Sequence, residues 1–405
     1  MNLPEQRTPG RLAVKLKPAA ERMARKGHPW VFDKGIARQK AAGEAGDLVT
    51  VFDRKSDKFL ASGLYDPDSP IRIKLLQFRH YAAIDAAYFA AKVARARHLR
   101  QPLVSATTNG YRLLHGENDG LPGLIADVYA DVLVLKLYSA IWLPYLRQLA
   151  PVLLEASGSA TLVLRLSRSL DQRQNKGGLK DGQVLVGGTE NEQVVFKEHG
   201  LRFAANVIRG HKTGYFLDQR HNRRKIGAAA KGKTVLDVFA YAGGFSVHAL
   251  AGGAAAVTSI DSSAQALKAA THNGTLNPHK GAHHTICGDA FAHMQLLGRQ
   301  RRTFDIVVVD PPSFAKRASE ANKARKQYRR LATLGAQLVR PRGLLLLASC
   351  SSRINAEAFF GLCEEGLGEA KARFLLQEKT FHDVDHPIGF PEGAYLKAGY
   401  WRRQS

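Results

Sequence analysis

Five side chains in the carboxyl-terminal half stand at or near the ends of short apolar runs, where chemistry can be done. Asp237 lies in TVLDVFA, Asp261 ends AAVTSID, Asp289 follows HHTICG, Asp310 ends FDIVVVD and Cys350 ends GLLLLASC. An acid at a strand tip can accept hydrogen bonds from ribose hydroxyls, so Asp261 indicates a ligand containing a nucleoside, and Asp289 is placed to meet an adenine amine. Cys350 introduces a different chemistry. Carbon 5 of a pyrimidine becomes nucleophilic only after something adds at carbon 6, and a cysteine thiolate is suited to that addition. An amine acceptor needs no such help; for it, the Asp310-Pro311-Pro312-Ser313-Phe314 loop would suffice and Cys350 would be structural. The residues alone leave both acceptors open.

These side chains need a scaffold that brings strand ends together. From about residue 194, apolar runs alternate with helix-length segments, the pattern of a parallel sheet covered on both faces. The expected fold class is therefore α/β, a doubly wound Rossmann-like domain. After its first strand, YAGGFSVHALAGG runs through a glycine turn into a helix, and Gly243 and Gly244 let backbone approach a ligand where a Cβ would collide. GxGxxG is absent, so S-adenosylmethionine fits better than a dinucleotide; a nicotinamide dehydrogenase is the reading to revive if the chain does not bind it. Neighbouring strands lie about 4.8 Å apart, so adjacent fourth and fifth strands would set Asp310 and Cys350 beside one bound base. Cys287 and Cys363 read as packing residues.

Ahead of this domain, LVTVF, KFLASGLY and IRIKLL are strands of a small β-rich unit with turns at DRKSDK and DPDSP. A helix is expected over 83–99, two strands folding at Tyr129-Ala130-Asp131, and a helix near 141–155. TLVLRLS, QVLVGG and EQVVFKEHG follow as strands. The expected domains are 1–78, a central α+β region 79–193, and 194–405.

The chain has 405 residues and a formal charge of +24, a balance that favours a polyanionic partner such as nucleic acid. Residues 11–40 carry nine Lys and Arg against two acids, and 316–330 carry seven against one. Three cysteines are too few for a disulfide framework or a CxxC zinc site; no metal is expected. Without a membrane-length apolar run or a signal-peptide core, a cytoplasmic location is expected. Trp30 and Phe32 read as core residues of the β-rich unit rather than as base-stacking platforms.

Taken together, VLDVFAYAGGFS, Asp261, DPPSF and the preceding GHKTGYFLDQRHNR resemble the class I S-adenosylmethionine-dependent methyltransferases. ASCSS, DHPIGFPEGAYLKAGY, KLKPAAERMARKGHPWVFDKGI and HGENDGLPGLIADVYAD resemble, over almost the whole chain, the large-subunit ribosomal RNA cytosine-C5 methyltransferases that carry an amino-terminal PUA domain. That resemblance implies RNA rather than DNA as partner, a cytosine as substrate, Cys350 as nucleophile and Asp310 as its catalytic neighbour. It implies cofactor contacts from Phe216, Asp218, Arg220, Asp237, Phe239, Gly243, Gly244, Asp261, Ser262, Asp289 and Asp310. Substrate contacts are expected from Pro311, Pro312, Phe314, Lys316, Arg317, Lys323 and Arg325. Asp385 and His386 are candidates, by motif position only, for the base that removes the C5 proton, with a water as the alternative. Ser313 stands where the family often has Lys. A homodimer is admitted, and a non-catalytic RNA-binding assembly factor is the alternative outside the enzymes.

Overall fold

Alternating apolar residues give the amino-terminal strands one buried face. In the computed structural model, which describes Leu3 and residues 7–172, 178–189, 191–315 and 317–405, six strands form one sheet. They are β1 (Arg11–Leu16), β2 (Trp30–Phe32), β3 (Ile36–Gln39), β4 (Leu48–Phe52), β5 (Phe59–Tyr65) and β6 (Ile71–Phe78), in the order β2-β6-β5-β4-β1-β3. Only β1 and β4 run parallel, with Arg11 opposite Leu48. Val14, Leu16, Val49, Val51 and Ile73 fill the core beside helix α1 (Pro18–Arg25), whose Pro18 opens the helix where no amide donor is needed.

Helix α2 (Ala86–Arg100) starts three residues later than the composition suggests, because Asp85 caps it by accepting the Tyr88 amide. A five-stranded sheet follows: β7 (Gly110–His115), β8 (Leu124–Tyr129), β9 (Val132–Leu137), β10 (Thr161–Leu166) and β11 (Gln183–Val186), ordered β11-β10-β9-β8-β7. The expected turn falls at Ala130, with φ +54°. The helix expected near 141–155 divides into a 3-10 turn, Ala140–Tyr145, which holds Pro144, and α3 (Leu146–Ser157). A short α4 (Arg168–Asp171) lies before β11.

The hairpin β12 (Gln193–Glu198) and β13 (Leu201–Asn206) carries the chain between two compact units. One comprises Met1–Lys197, Ala205–Leu217 and Val384–Pro391; the other comprises Glu198–Ala204, Asp218–Asp383 and Glu392–Ser405.

The second unit holds α5 (Arg220–Ala229), β14 (Thr234–Val238), α6 (Gly244–Ala251), β15 (Ala256–Asp261), α7 (Ala264–Thr275), β16 (Ala282–Cys287), α8 (Ala290–Arg299), β17 (Phe304–Val309), α9 (Ala321–Leu338), β18 (Val339–Ser349), α10 (Ala356–Glu369), β19 (Phe374–Thr380) and β20 (Lys397–Arg403). Its sheet runs β16-β15-β14-β17-β18-β20-β19, parallel from β16 to β18, with β20 antiparallel to both neighbours. The five runs picked out by apolarity are its five parallel strands. Both faces are covered: Ile226, Phe245 and Leu250 lie on one, and Met294, Leu331 and Phe359 on the other. The strand order reverses between β14 and β17, which puts a crevice beyond their carboxyl ends.

Candidate functional site

The turn after β14 is built around two acids. Asp237, 1% exposed, accepts the Ser246 amide at 3.1 Å and the Ser246 hydroxyl at 2.6 Å, both on Oδ2. Its Oδ1 is buried and has no hydrogen-bond partner among the described residues. Burial pushes its carboxyl up to about 6, the Ser246 bonds opposing in part. Asp261 accepts the Tyr241 amide through Oδ2 and the Ser263 amide through Oδ1, both at 2.9 Å, and so ties the first turn to the second. Phe239 and Tyr241 hold φ of +66° and +47°, a region that non-glycine residues rarely enter. Such strain gathers at ligand clamps. Gly243 caps α6 at φ +77°, where a Cβ would sit 2.7 Å from that of Ala270. An orphaned buried acceptor, a bent turn and a helix amino terminus in one place suit a small polar ligand, and the donor-rich nucleoside and amino-acid ends of S-adenosylmethionine match the acids.

At the crevice's other side, Asp310 is partly exposed at the end of β17. Burial and then the Asp218 carboxylate push its carboxyl up to about 7, against a hydrogen bond from Gln219. The Cys350 Sγ lies 3.7 Å from the Pro311 carbonyl, so nucleophile candidate and acid occupy adjacent strand ends, as the strand order requires. Of the three thiols, Cys363 is buried and burial raises its pKa well above the ordinary value; Cys350 is partly exposed. Cys287 is exposed, contrary to its reading as a packing residue, because β16 is an edge strand with little covering that end.

The remaining expected residues fall into three groups. Gly244 opens α6, Ser262 is exposed beside Asp261, and the exposed Asp289 caps α8 through the Ala292 amide. Asp218 accepts the Tyr395 hydroxyl at 3.1 Å. Arg220 is wholly buried against Asp383 and Glu198, in a cluster where Glu198 also takes two bonds from Arg223 and one from His248. Phe216 belongs to the first unit, its ring 5.6 Å from His211.

On the acceptor side, Pro311 is buried, Pro312 exposed, and Phe314 packs at 5.2 Å against Tyr328 and 6.3 Å from Phe291. Arg317, Lys323 and Arg325 are exposed; Lys316 lies outside the described residues. Arg329 pairs with Glu369 and the Arg330 guanidinium lies 4.8 Å over Phe291, so these two charges of the basic run are engaged with the fold.

Three residues went unread. Phe291 and Tyr328 continue the aromatic chain that begins at Phe239, and Tyr328 also accepts a bond from the Ser349 hydroxyl at 2.9 Å. Lys397, in the YLK of the carboxyl-terminal motif, is 1% exposed. In the first unit, Trp30 is partly exposed and donates its indole N–H to Glu117, and Phe32 is 49% exposed; neither is a plain core residue, since β2 is an edge strand of three residues. Asp385 and His386 are buried in that unit, bonded to each other at 2.8 Å, with Asp385 also accepting the Arg112 amide.

Comparison with known proteins agrees with this geometry. A family model described as S-adenosylmethionine-dependent methyltransferase matches residues 112–396, and one for a PUA-like domain matches 14–78. A Deinococcus radiodurans protein named Ribosomal RNA large subunit methyltransferase is 42% identical, covering 98% of each chain. A Shewanella denitrificans protein named Ribosomal RNA large subunit methyltransferase I is 36% identical over 95% of this chain and 98% of its own. Among solved structures, a SAM-dependent methyltransferase from Streptococcus mutans superposes with a TM-score of 0.82 at 21% identity, over 96% of this chain and 99% of that one, a likeness of fold. The chain belongs to the S-adenosylmethionine-dependent methyltransferase family, and S-adenosylmethionine is its cofactor.

Proposed function

We propose that this protein methylates carbon 5 of a cytosine in large-subunit ribosomal RNA, with Cys350 as the covalent nucleophile. The observation that carries the reading is the 3.7 Å separation of Cys350 Sγ from the Pro311 carbonyl, beside a carboxyl whose pKa lies near neutrality. The relatives' names supply the RNA class, and the charge of +24 with a PUA-like domain suits it.

In this reading Asp237 and Asp261 hold the cofactor's polar ends, Gly243 and Gly244 admit it closely, and Asp218, Phe239, Ser262 and Asp289 border it. When bound, S-adenosylmethionine supplies the electrophilic methyl that the activated carbon takes up. Cys350 thiolate adds to C6 of the cytosine. Asp310, protonated in part at neutral pH, donates to N3 as negative charge develops there. Solvent water takes the C5 proton, the thiolate departs by β-elimination, and N3 returns its proton to Asp310. Pro311, Pro312 and Phe314 form the wall beside the base, and Lys316, Arg317, Lys323 and Arg325 meet phosphates.

RNA carrying 5-fluorocytosine at the target tests this directly, because fluorine cannot leave as a proton does. The expected product is a denaturant-stable adduct at Cys350 that requires S-adenosylmethionine, with methyl transfer lost in Cys350→Ala. If Cys350→Ala retains full methyl transfer, the covalent mechanism fails and methylation of an exocyclic amine replaces it.

A further inference from the structure

Lys397 is a buried cation with an unusual set of partners. The register of β18 and β20 sets it opposite Ser349, one residue from Cys350. Its ammonium donates to the carbonyls of Ser351, Ile354 and Tyr395, which uses all three of its N–H groups. No carboxylate pairs with it among the described residues. A buried charge without a counterion costs several kcal/mol, so a lysine kept in such a place calls for an anion nearby.

The groups facing Cys350 narrow the choice. From α9 comes Tyr328, whose phenol burial holds well above its ordinary range and therefore neutral. From the end of β17 comes Asp310, raised to about 7 and so partly neutral at physiological pH. From β20 comes Lys397, brought down to about 8 by burial, with the Cys350 charge acting in the opposite direction. Two acids are thus held wholly or partly protonated around the thiol, and the Lys397 ammonium is fixed in place by backbone. Such surroundings favour a thiolate, since a neighbouring cation lowers a thiol's pKa.

We propose that Lys397 is the positioning residue of the nucleophile: it clamps the turn after β18 through the Ser351 and Ile354 carbonyls and stands as the fixed countercharge of the Cys350 thiolate. The proposal deepens the covalent reading above and rests on it for its purpose. Its electrostatic content, the thiol giving its proton to solvent beside a fixed cation, needs neither RNA nor cofactor.

The test is the pH dependence of Cys350 alkylation by iodoacetamide, in full-length protein carrying Cys287→Ser to remove the exposed thiol, with the site read by peptide mass spectrometry. Opposite charges at close range shift a pKa by one unit or more. In Lys397→Met the alkylation midpoint is expected to rise by at least about one unit, about tenfold slower reaction at pH 7, with Lys397→Arg close to the parent. An unchanged midpoint in a folded Lys397→Met overturns the proposal. Should that variant not fold, the parent decides: a Cys350 midpoint below that of the same thiol in guanidinium-unfolded chain supports the countercharge, and one at or above it overturns it. If the midpoint moves as expected but the 5-fluorocytosine adduct never forms, the countercharge stands and the C5 reading falls.

Discussion

Replacing Asp237 by Asn should make the cofactor-free protein more stable and a worse binder. Its carboxyl rises from 3.8 to about 6 on folding, and one unit corresponds to about 1.4 kcal/mol. A carboxyl whose folded pKa is raised binds protons more readily in the native state, so stability falls as pH climbs through the interval from about 4 to about 6 and stays low above it. The ionised group therefore costs about 3 kcal/mol at pH 7.5 and about half that at pH 5. Asn avoids this cost. It keeps one oxygen for Ser246, whose bonds to the carboxylate are already contained in the folded value of about 6. The expected gain is therefore about 3 kcal/mol at pH 7.5 and about half that at pH 5. Amide exchange in Thr234–Val238 would read it on the sheet concerned rather than on the whole chain, and calorimetry should show weakened S-adenosylmethionine binding. A gain equal at both pH values, or a loss at pH 7.5, would refute the claim that an ionised, half-satisfied Asp237 is strained while awaiting a ligand.

Asp261→Ala removes an acceptor that ties two turns and faces the crevice; cofactor affinity should drop by about 1.5–3 kcal/mol, and unchanged calorimetric affinity would remove Asp261 from the site. Gly243→Ala forces a left-handed residue and a 2.7 Å approach to Ala270 Cβ, so thermal stability should fall by about 1 kcal/mol or more; a neutral result would mean that α7 yields freely. Charge reversal at Lys323 and Arg325 should weaken RNA binding uniformly and reduce its salt slope by about two, whereas an unaltered slope would leave them as a solvated helix face.

What the sequence disclosed follows from how local each signal is. A parallel strand buried on both faces is a run of apolar residues, so β14, β15, β17 and β18 could be read one by one, and the acids and thiol at their ends came with them; β16, an exposed edge strand, was legible only from its place in the alternation. The helix starts were blurred by a cap at Asp85 and by Pro144, each a single-residue effect within an otherwise helical composition. Strands β1, β7, β13, β19 and β20 had no such run. Strands β13 and β19 mix exposed with buried positions, and β20 is buried but places Lys397, Gly399 and Arg402 among its apolar residues. Arg220 shows the limit for side chains: its position in a cofactor-like motif was legible, but its engagement by Glu198 and Asp383, 22 residues before and 163 after it, was not.

The carboxyl-terminal motif shows why adjacency in sequence is a poor guide to a shared role. DHPIGFPEGAYLK invites a single function, and by position its histidine and aspartate were candidates to remove a proton. The chain changes unit once within it, at 391/392. Asp385 and His386 fall in the first unit, where Arg112 takes a carboxylate of Asp127 bidentately and Arg100 one of Asp119, while the Asp385 carbonyl accepts from Arg100. The Asp385 carboxylate itself accepts the Arg112 amide and pairs with His386 Nδ1, and both side chains are buried, at 0% and 1% exposure. Lys397, twelve residues on, pairs instead with the strand that carries Cys350. One half of the motif is therefore built into the first unit and the other, on the proposal above, addresses Cys350, and only the register of β18 with β20 tells them apart.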